Sequence, residues 1–263
     1  DMTVYKMSRA RNNFITQMIF KLSRKYPNAM RKFLLKQVRM QVGPNFDMKH
    51  FTPPYNPWDQ RLCAVPNGDM FKVLKQGKAS VVTDHIDRFV DKGILLKSGQ
   101  TLEADIIVTA TGLNLRLFGG MQMTVDGEAV DMSKRISYKG LMFNDIPNFS
   151  NTLGYTNASW TLKADLIAEY VCRLIKHMDK TGTRIAMPLR NDPSVKEAPL
   201  LDMTSGYVAR AAAHLPKGAD KAPWKLYQNY ALDMEQLRNG KLEDGVMSFS
   251  KPHAVSTAQR KAA

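Results

Sequence analysis

The sequence predicts an α/β protein, and three observations carry that reading. The stretch "EADIIVTATGLNL", residues 103–115, strings together Ile106, Ile107, Val108 and Thr109 and then breaks at Gly112. A continuous apolar run of that length suits a strand covered on both faces, as in a parallel sheet. Short segments that read as strands lead into it, at about 85–90, 93–97 and 100–103, with a Ser-Gly turn at 98–99. After it, Leu162, Leu166, Tyr170 and Leu174 recur at helical spacing, and Ile167 and Val171 widen the stripe.

The elements follow in chain order. Residues 8–25 are expected to form a basic amphipathic helix, with Phe14, Met18 and Leu22 at i, i+4 and Ile15 and Ile19 beside them. A second helix is expected over 28–41, with Met30, Phe33, Leu34 and Val38 on one face and Arg31, Lys32, Lys36 and Arg39 off it. Two readings of this pair stay open: helices packed on a core with solvated basic outer faces, or a surface for an anionic partner, nucleic acid or membrane. Phosphate-gripping modules usually mix aromatics or glycines into the basic face, and these helices do not, which favours packing. Four prolines between residues 43 and 63 exclude regular structure there. The same loop carries Phe46, Phe51, Tyr55 and Trp58, so it is expected to be rigid and packed down, the kind of loop that lines sites. A short helix is expected in "NGDMFKVLKQG", then a strand in "KASVVTD" and the segments named above. Residues 115–150 read as small strands and turns. Then come a strand, a loop and the clearest helix, capped by Asn157 or Ser159. Beyond residue 180 the chain is irregular, with short helices near 206–214 and 227–238 and a disordered tail over 250–263.

The totals narrow the function classes. A formal charge of +14 is concentrated in the first helices. Cys63 and Cys172 lie far apart, with no CxxC and no paired histidines. That argues against a zinc site or a disulfide framework and for a reducing compartment. No signal peptide is visible, and no run reaches the about 18 apolar residues of a spanning helix. A cytoplasmic placement is expected, with peripheral membrane contact left open. The chain has no GxGxxG, P-loop, GxSxG or HExxH, and its five histidines are scattered. An enzyme built this way would leave the hard chemistry to a cofactor.

Three longer stretches are more specific: "YNPWDQRLCAVPNGDMF" at 55–71, "ADIIVTATGLNLRLFGG" at 104–120 and "GYTNASWTLKADLIAEYVCRLI" at 154–175. In order and spacing they resemble the class B flavoprotein monooxygenases, the flavin-containing and Baeyer–Villiger enzymes, and its mycobacterial ethionamide-activating members in particular. The resemblance implies the C-terminal part of a two-dinucleotide-binding-domain flavoprotein, with a helical insertion at its N-terminal end. Family members are roughly double this length, and the first residue is Asp1, so a C-terminal half is expected. It would divide into a helical insertion at 1–59, the remainder of an NADPH domain at 60–104, the end of an FAD domain at 105–249 and the tail.

The resemblance also implies FAD, NADPH and O2, and a C4a-peroxyflavin that oxygenates ketones or soft heteroatoms, as in sulfides and thioamides. By motif position Arg61 is the catalytic arginine, a charge that stabilises the peroxide and the anionic intermediate after it without giving up a proton. Thr111 and Gly112 fall at the crossing into the flavin domain, where glycine lets backbone approach the nucleotide. Asn157, Ala158 and Ser159 open the long helix, whose N-terminus suits the flavin's pyrimidine edge. Trp160, Tyr55 and Trp58 would wall the substrate pocket. No metal and no nucleic acid are expected, and the absent upstream half would be the partner. The rival expectation is a non-catalytic basic helical protein that binds a membrane surface or nucleic acid.

Overall fold

The computed structural model describes residues 1–60, 62–63, 65–201 and 203–252. The chain divides into two compact units, Asp1–Leu113 and Asn114–Ala263, each with its own core.

In the first unit, Asp1 caps helix α1 (Met2–Lys25) by accepting from the Thr3 amide at 2.8 Å. Helix α2 (Pro27–Val42) starts on proline, whose missing N–H costs nothing there, and stops at Gly43 with φ 97°. Both expected helices are present. The loop after α2 is packed down as expected, with Phe46 and Phe51 tilted against each other at 5.5 Å and Phe51 meeting Phe71 at 5.6 Å, but it is not free of regular structure: between its prolines Met48–Phe51 forms a 3-10 turn capped by Asp47. Phe71 and Leu74 of helix α3 (Asp69–Lys75) close a small core with Val42 and Val38. Strands β1 (Ile86–Val90), β2 (Gly93–Leu96) and β3 (Thr101–Glu103) form an antiparallel meander.

Two expected strands are absent here. Residues 78–84 form no ladder; they run as a connection held by His50 Nδ1 and Thr83 Oγ1 at 2.7 Å. Residues 105–110 are likewise unpaired, and Ile106 and Val108 are each 83% exposed. A β-branched run supplies the propensity, but a strand needs a neighbour to satisfy its backbone. The last bond beside β3 runs from the Ala104 amide to the Lys92 carbonyl at 3.0 Å, and no described strand offers the next partner.

The second unit is organised by helix α4 (Trp160–Thr181), which ends on Gly182 in the left-handed region. Its stripe behaves as the spacing predicts: Leu162, Leu166, Ile167, Tyr170 and Leu174 are buried, the last four among Ile136, Tyr138, Leu141, Trp224 and Leu237. Two small hairpins precede it. Strands β4 (Thr124–Val125) and β5 (Glu128–Ala129) turn on Asp126–Gly127, and β6 (Ser137–Tyr138) and β7 (Met142–Phe143) turn on Lys139–Gly140. Asp126 and Gly127 both have positive φ, as a two-residue hairpin loop of this kind requires, and in the three-residue loop of the second hairpin, closed by Leu141, Lys139 and Gly140 have positive φ as well. The strand expected just before the 154–160 loop is absent; that segment joins no ladder, the Asn151 amide donating to the Leu141 carbonyl at 2.8 Å and Phe149 lying edge-on to Phe118 at 5.2 Å.

The C-terminal third holds structure the sequence did not announce. Strand β8 (Ile185–Pro188) pairs with β11 (Met247–Ser250), and β9 (Glu197–Pro199) pairs with β10 (Lys217–Ala219). Helix α5 (Gly206–Ala211) and helix α6 (Tyr230–Met234), which continues as a π turn over Glu235–Asn239, correspond to the two short helices expected. Ser250, expected in the tail, lies in β11; residues 253–263 fall outside the described residues. Among the described residues every strand pair is antiparallel, so the parallel sheet expected from residues 105–110 is not formed.

Candidate functional site

The turn that opens α4 is held by contacts from both sides. Gly154 has to be glycine for a local reason: a Cβ there would fall 2.2 Å from the ring of Trp160. The backbone therefore passes directly under the indole. Tyr155 is buried and donates its hydroxyl to Asp233 Oδ2 at 2.6 Å. Lys163, one turn into α4, sets its Nζ 2.9 Å from the same oxygen; the side chains of the pair are 1% and 4% exposed. The contact is ionic rather than an aligned hydrogen bond, and the ammonium also lies 5.7 Å from the Tyr155 ring centroid. Burial pushes the Lys163 pKa down, while Asp233 opposes that shift. Burial and the Asp233 carboxylate together push the Tyr155 hydroxyl up.

Asp233 is itself held in place. Asn229 caps α6 by accepting from the amides of Ala231 and Leu232. Arg173 of α4 donates to the carbonyls of Leu237, Arg238 and Gly240 at 2.6–2.7 Å, and Glu169 takes both arms of Arg238 at 2.6 Å. The 228–240 segment returns a second set of bonds to the turn. Gln228 Oε1 accepts from the Thr156 amide at 2.8 Å, and the Gln228 carbonyl accepts from Asn157 Nδ2 at 2.9 Å.

The expected site residues fall into this frame as follows. Asn157 is buried, with its amide nitrogen committed to Gln228 and its Oδ1 without a partner among the described residues. Ala158 is half-buried and Ser159 is exposed. Ser159 occupies the N-cap position, yet neither it nor Asn157 caps through its side chain, contrary to expectation; the Ser159 hydroxyl pairs with Thr161 Oγ1 at 2.9 Å instead. Trp160 is 53% exposed. An N-terminus with no side-chain cap keeps amide donors and the positive end of the helix dipole available. Asn157 Oδ1 adds a buried acceptor beside them. Together they suit a planar ligand with N–H and C=O groups alternating along one edge.

In the first unit, Tyr55 and Trp58 line one cavity of about 350 Å³ together with Arg31, Leu34, Val38 and Cys63. Trp58 takes φ 73°, packs edge-on to Phe20 at 5.2 Å, and leaves its buried Nε1 without a partner among the described residues. Asp59 clamps the turn by accepting from Arg24 Nη1 at 2.9 Å and from the Asn56 amide at 3.0 Å. Arg61, the residue expected to act, lies outside the described residues. Thr111 and Gly112 are exposed, and Gly112 has φ 101°, a conformation that asks for glycine.

Sequence reasoning missed Lys163, Asp233 and Gln228. One signal was available: Lys163 precedes Ile167 and Tyr170 by four and seven residues, so it sits in the apolar stripe, where an amine must be paired. It also missed a second cavity of about 850 Å³ in the second unit, lined by Arg116, Phe118, Met121, Met132, Arg210 and His214 among others, and by none of the expected site residues. Among the described residues no cluster of potential metal ligands is present.

No protein-family model matches the chain. Individual proteins do. The Acinetobacter baylyi protein named "Probable FAD-binding monooxygenase AlmA" is 49% identical over 258 residues, covering 98% of this chain and 51% of the relative. The FAD-containing monooxygenase EthA of Mycobacterium tuberculosis is 48% identical over 248 residues, covering 94% of this chain and 51% of the relative. The chain thus spans about half the length of the curated relatives it matches. Among solved structures, the crystal structure of OTEMO in an FAD-bound form aligns with a TM-score of 0.60 at 16% identity, over 87% of this chain and 46% of that one. At that identity the match bears on the fold.

Proposed function

The chain is a homologue of FAD-binding monooxygenases over about half their length, and from that premise we propose that it forms the C-terminal part of an FAD- and NADPH-dependent monooxygenase that oxygenates ketones or soft heteroatoms such as sulfur. The observation that carries the reading is the turn at 154–160: an uncapped N-terminus of a long helix, beside a buried Asn157 with one acceptor oxygen to spare. The pyrimidine edge of an isoalloxazine has the alternating N–H and C=O groups that this turn would receive. FAD, when bound, supplies the activation of O2.

The chain's own residues have separable tasks. Asn157 and the first-turn amides of α4 hold the ring's polar edge, where the helix dipole favours negative charge. The Lys163–Asp233–Tyr155 cluster and Gln228 keep that turn in register. Tyr55 and Trp58, in the first unit's own cavity, offer an apolar substrate a wall, and Trp160 shields the turn at the head of α4. Arg61 holds a fixed positive charge at the transferring oxygen; a guanidinium keeps its proton at neutral pH and so stabilises developing negative charge without quenching it. Thr111 and Gly112 carry the chain between the NADPH and FAD domains.

Alone, the chain is expected to purify colourless and inactive. Joined to the upstream half of a relative such as AlmA, it is expected to give a yellow protein that consumes NADPH and forms product from a ketone or a sulfide. A folded but colourless product, or a yellow one that oxygenates neither substrate, would contradict the proposal.

A further inference from the structure

Helix α1 is packed the wrong way round for a soluble surface helix. The residues that meet the rest of the first unit are polar for the most part: Ser23 is fully buried, and Arg9, Asn13, Gln17 and Phe20 are half-buried. The apolar stripe faces outward. Val4, Met7, Phe14, Ile15, Met18, Ile19 and Leu22 are all exposed, Phe14 to 69%. At 3.6 residues per turn these seven fall within an arc of about 140°. Such an arc normally faces a core, and an uncovered apolar face of this length marks a contact surface.

The charges identify the partner. Residues 2–42 hold ten Lys and Arg and no Asp or Glu. On α1, Arg11 and Lys25 sit inside the apolar arc and Lys21 at its edge, so their aliphatic stems lie along the stripe while their heads reach past it. Lys25 also covers the exposed ring of Tyr26 at 5.3 Å. A helix of 24 residues with an exposed apolar face, aromatic residues along and beside it, and lysines and arginines at its margins matches one that lies in a bilayer interface. No described helix is long and apolar enough to cross a membrane, so the contact would be one of lying on the surface.

We propose that the outward face of α1 docks on an anionic lipid surface, with Phe14, Met18 and Leu22 entering the acyl boundary and Arg11, Lys21 and Lys25 meeting phosphate headgroups. The inference does not use the flavin site, but the upstream half that the monooxygenase reading supplies is a rival occupant of this face: the protein completed with that half should still float, and loss of flotation on completion would assign the face to that half. The test is vesicle flotation of the full chain with phosphatidylcholine alone and with phosphatidylcholine containing phosphatidylglycerol. Two triple variants accompany the wild type, R11Q/K21Q/K25Q and F14S/M18S/L22S; all six side chains are exposed, so helical circular dichroism should be unchanged. Wild-type protein is expected to float with the anionic vesicles and not with the neutral ones. The charge variant should bind about 100-fold more weakly, since each basic residue at an anionic surface is worth about a factor of five. The apolar variant should lose about 100-fold or more. Failure of the wild type to float, or flotation unchanged in either variant, would overturn the proposal. So would a lipid-independent dimer that the apolar variant dissolves, which would assign the face to a second copy. Duplex DNA binding that only the charge variant weakens, without flotation, would assign it to nucleic acid.

Discussion

Removing the Lys163 ammonium tests the buried cluster most sharply. Lys163→Met keeps the length and apolar stem of the side chain and takes away the charge that faces Asp233 at 2.9 Å. Asp233 would then be a buried carboxylate with the Tyr155 hydroxyl as its remaining side-chain donor. Stripping one partner from a buried pair costs about 3–5 kcal/mol, because the survivor stays desolvated and unpaired. For a unit of this size that is a fall in Tm of about 6–20 °C. Replacing the pair together, Lys163→Met with Asp233→Leu, should recover much of the loss, since a buried pair gains little over apolar groups of similar volume. The assay is a double-mutant cycle in urea, with melting followed by circular dichroism. A single Lys163→Met variant within about 1 kcal/mol of wild type, or a double variant as unstable as the sum of the singles, would refute the reasoning.

The remaining predictions concern pH and the turn. Burial raises the pKa of Tyr138 and Tyr155 and pushes Tyr170 up to about 12. A raised folded pKa leaves the contribution complete below the unfolded value near 10 and erodes it as pH climbs further, so Tyr170 alone should cost about 2–3 kcal/mol by pH 12. Lys163 works in the opposite sense: its lowered pKa makes the unfolded chain the better proton binder below 10.5, so that term gains as pH rises. Urea midpoints measured from pH 8 to 12 should fall overall, and Tyr170→Phe should flatten the fall; a stability that climbs throughout would contradict the assignment. Gly154→Ala would drive a methyl into the Trp160 ring, costing about 1–3 kcal/mol. Displacement of the indole should change tryptophan emission, and unchanged emission with unchanged melting would show that the ring does not need that space.

What the sequence revealed was local, and what it concealed was not. The stripe on α4 is legible because each residue's neighbours lie three or four positions away. Strands β8 and β11 are four residues each and pair across a separation of about sixty positions, with Pro188 and Pro199 ending β8 and β9 and no alternation to betray them. The run at 105–110 was legible as propensity and wrong as structure in this chain, since Ile106 and Val108 have no strand beside them. On α1 the spacing gave the helix and its apolar face but not that face's direction, which depends on what else is available to cover it. At the candidate site, the motif gave the position of Asn157 and Trp160 at the head of α4, whereas Asp233 and Gln228 reach that turn from more than seventy residues away.

The central proposal is that Arg61 supplies the fixed positive charge that oxygenation requires. The most direct measurement is stopped-flow kinetics of Arg61→Ala in the protein completed with an upstream flavin-binding half. Bleaching of the flavin by NADPH should persist, while product formation from a ketone or sulfide should drop about 100- to 1000-fold. Product formation at the parent rate would contradict the account.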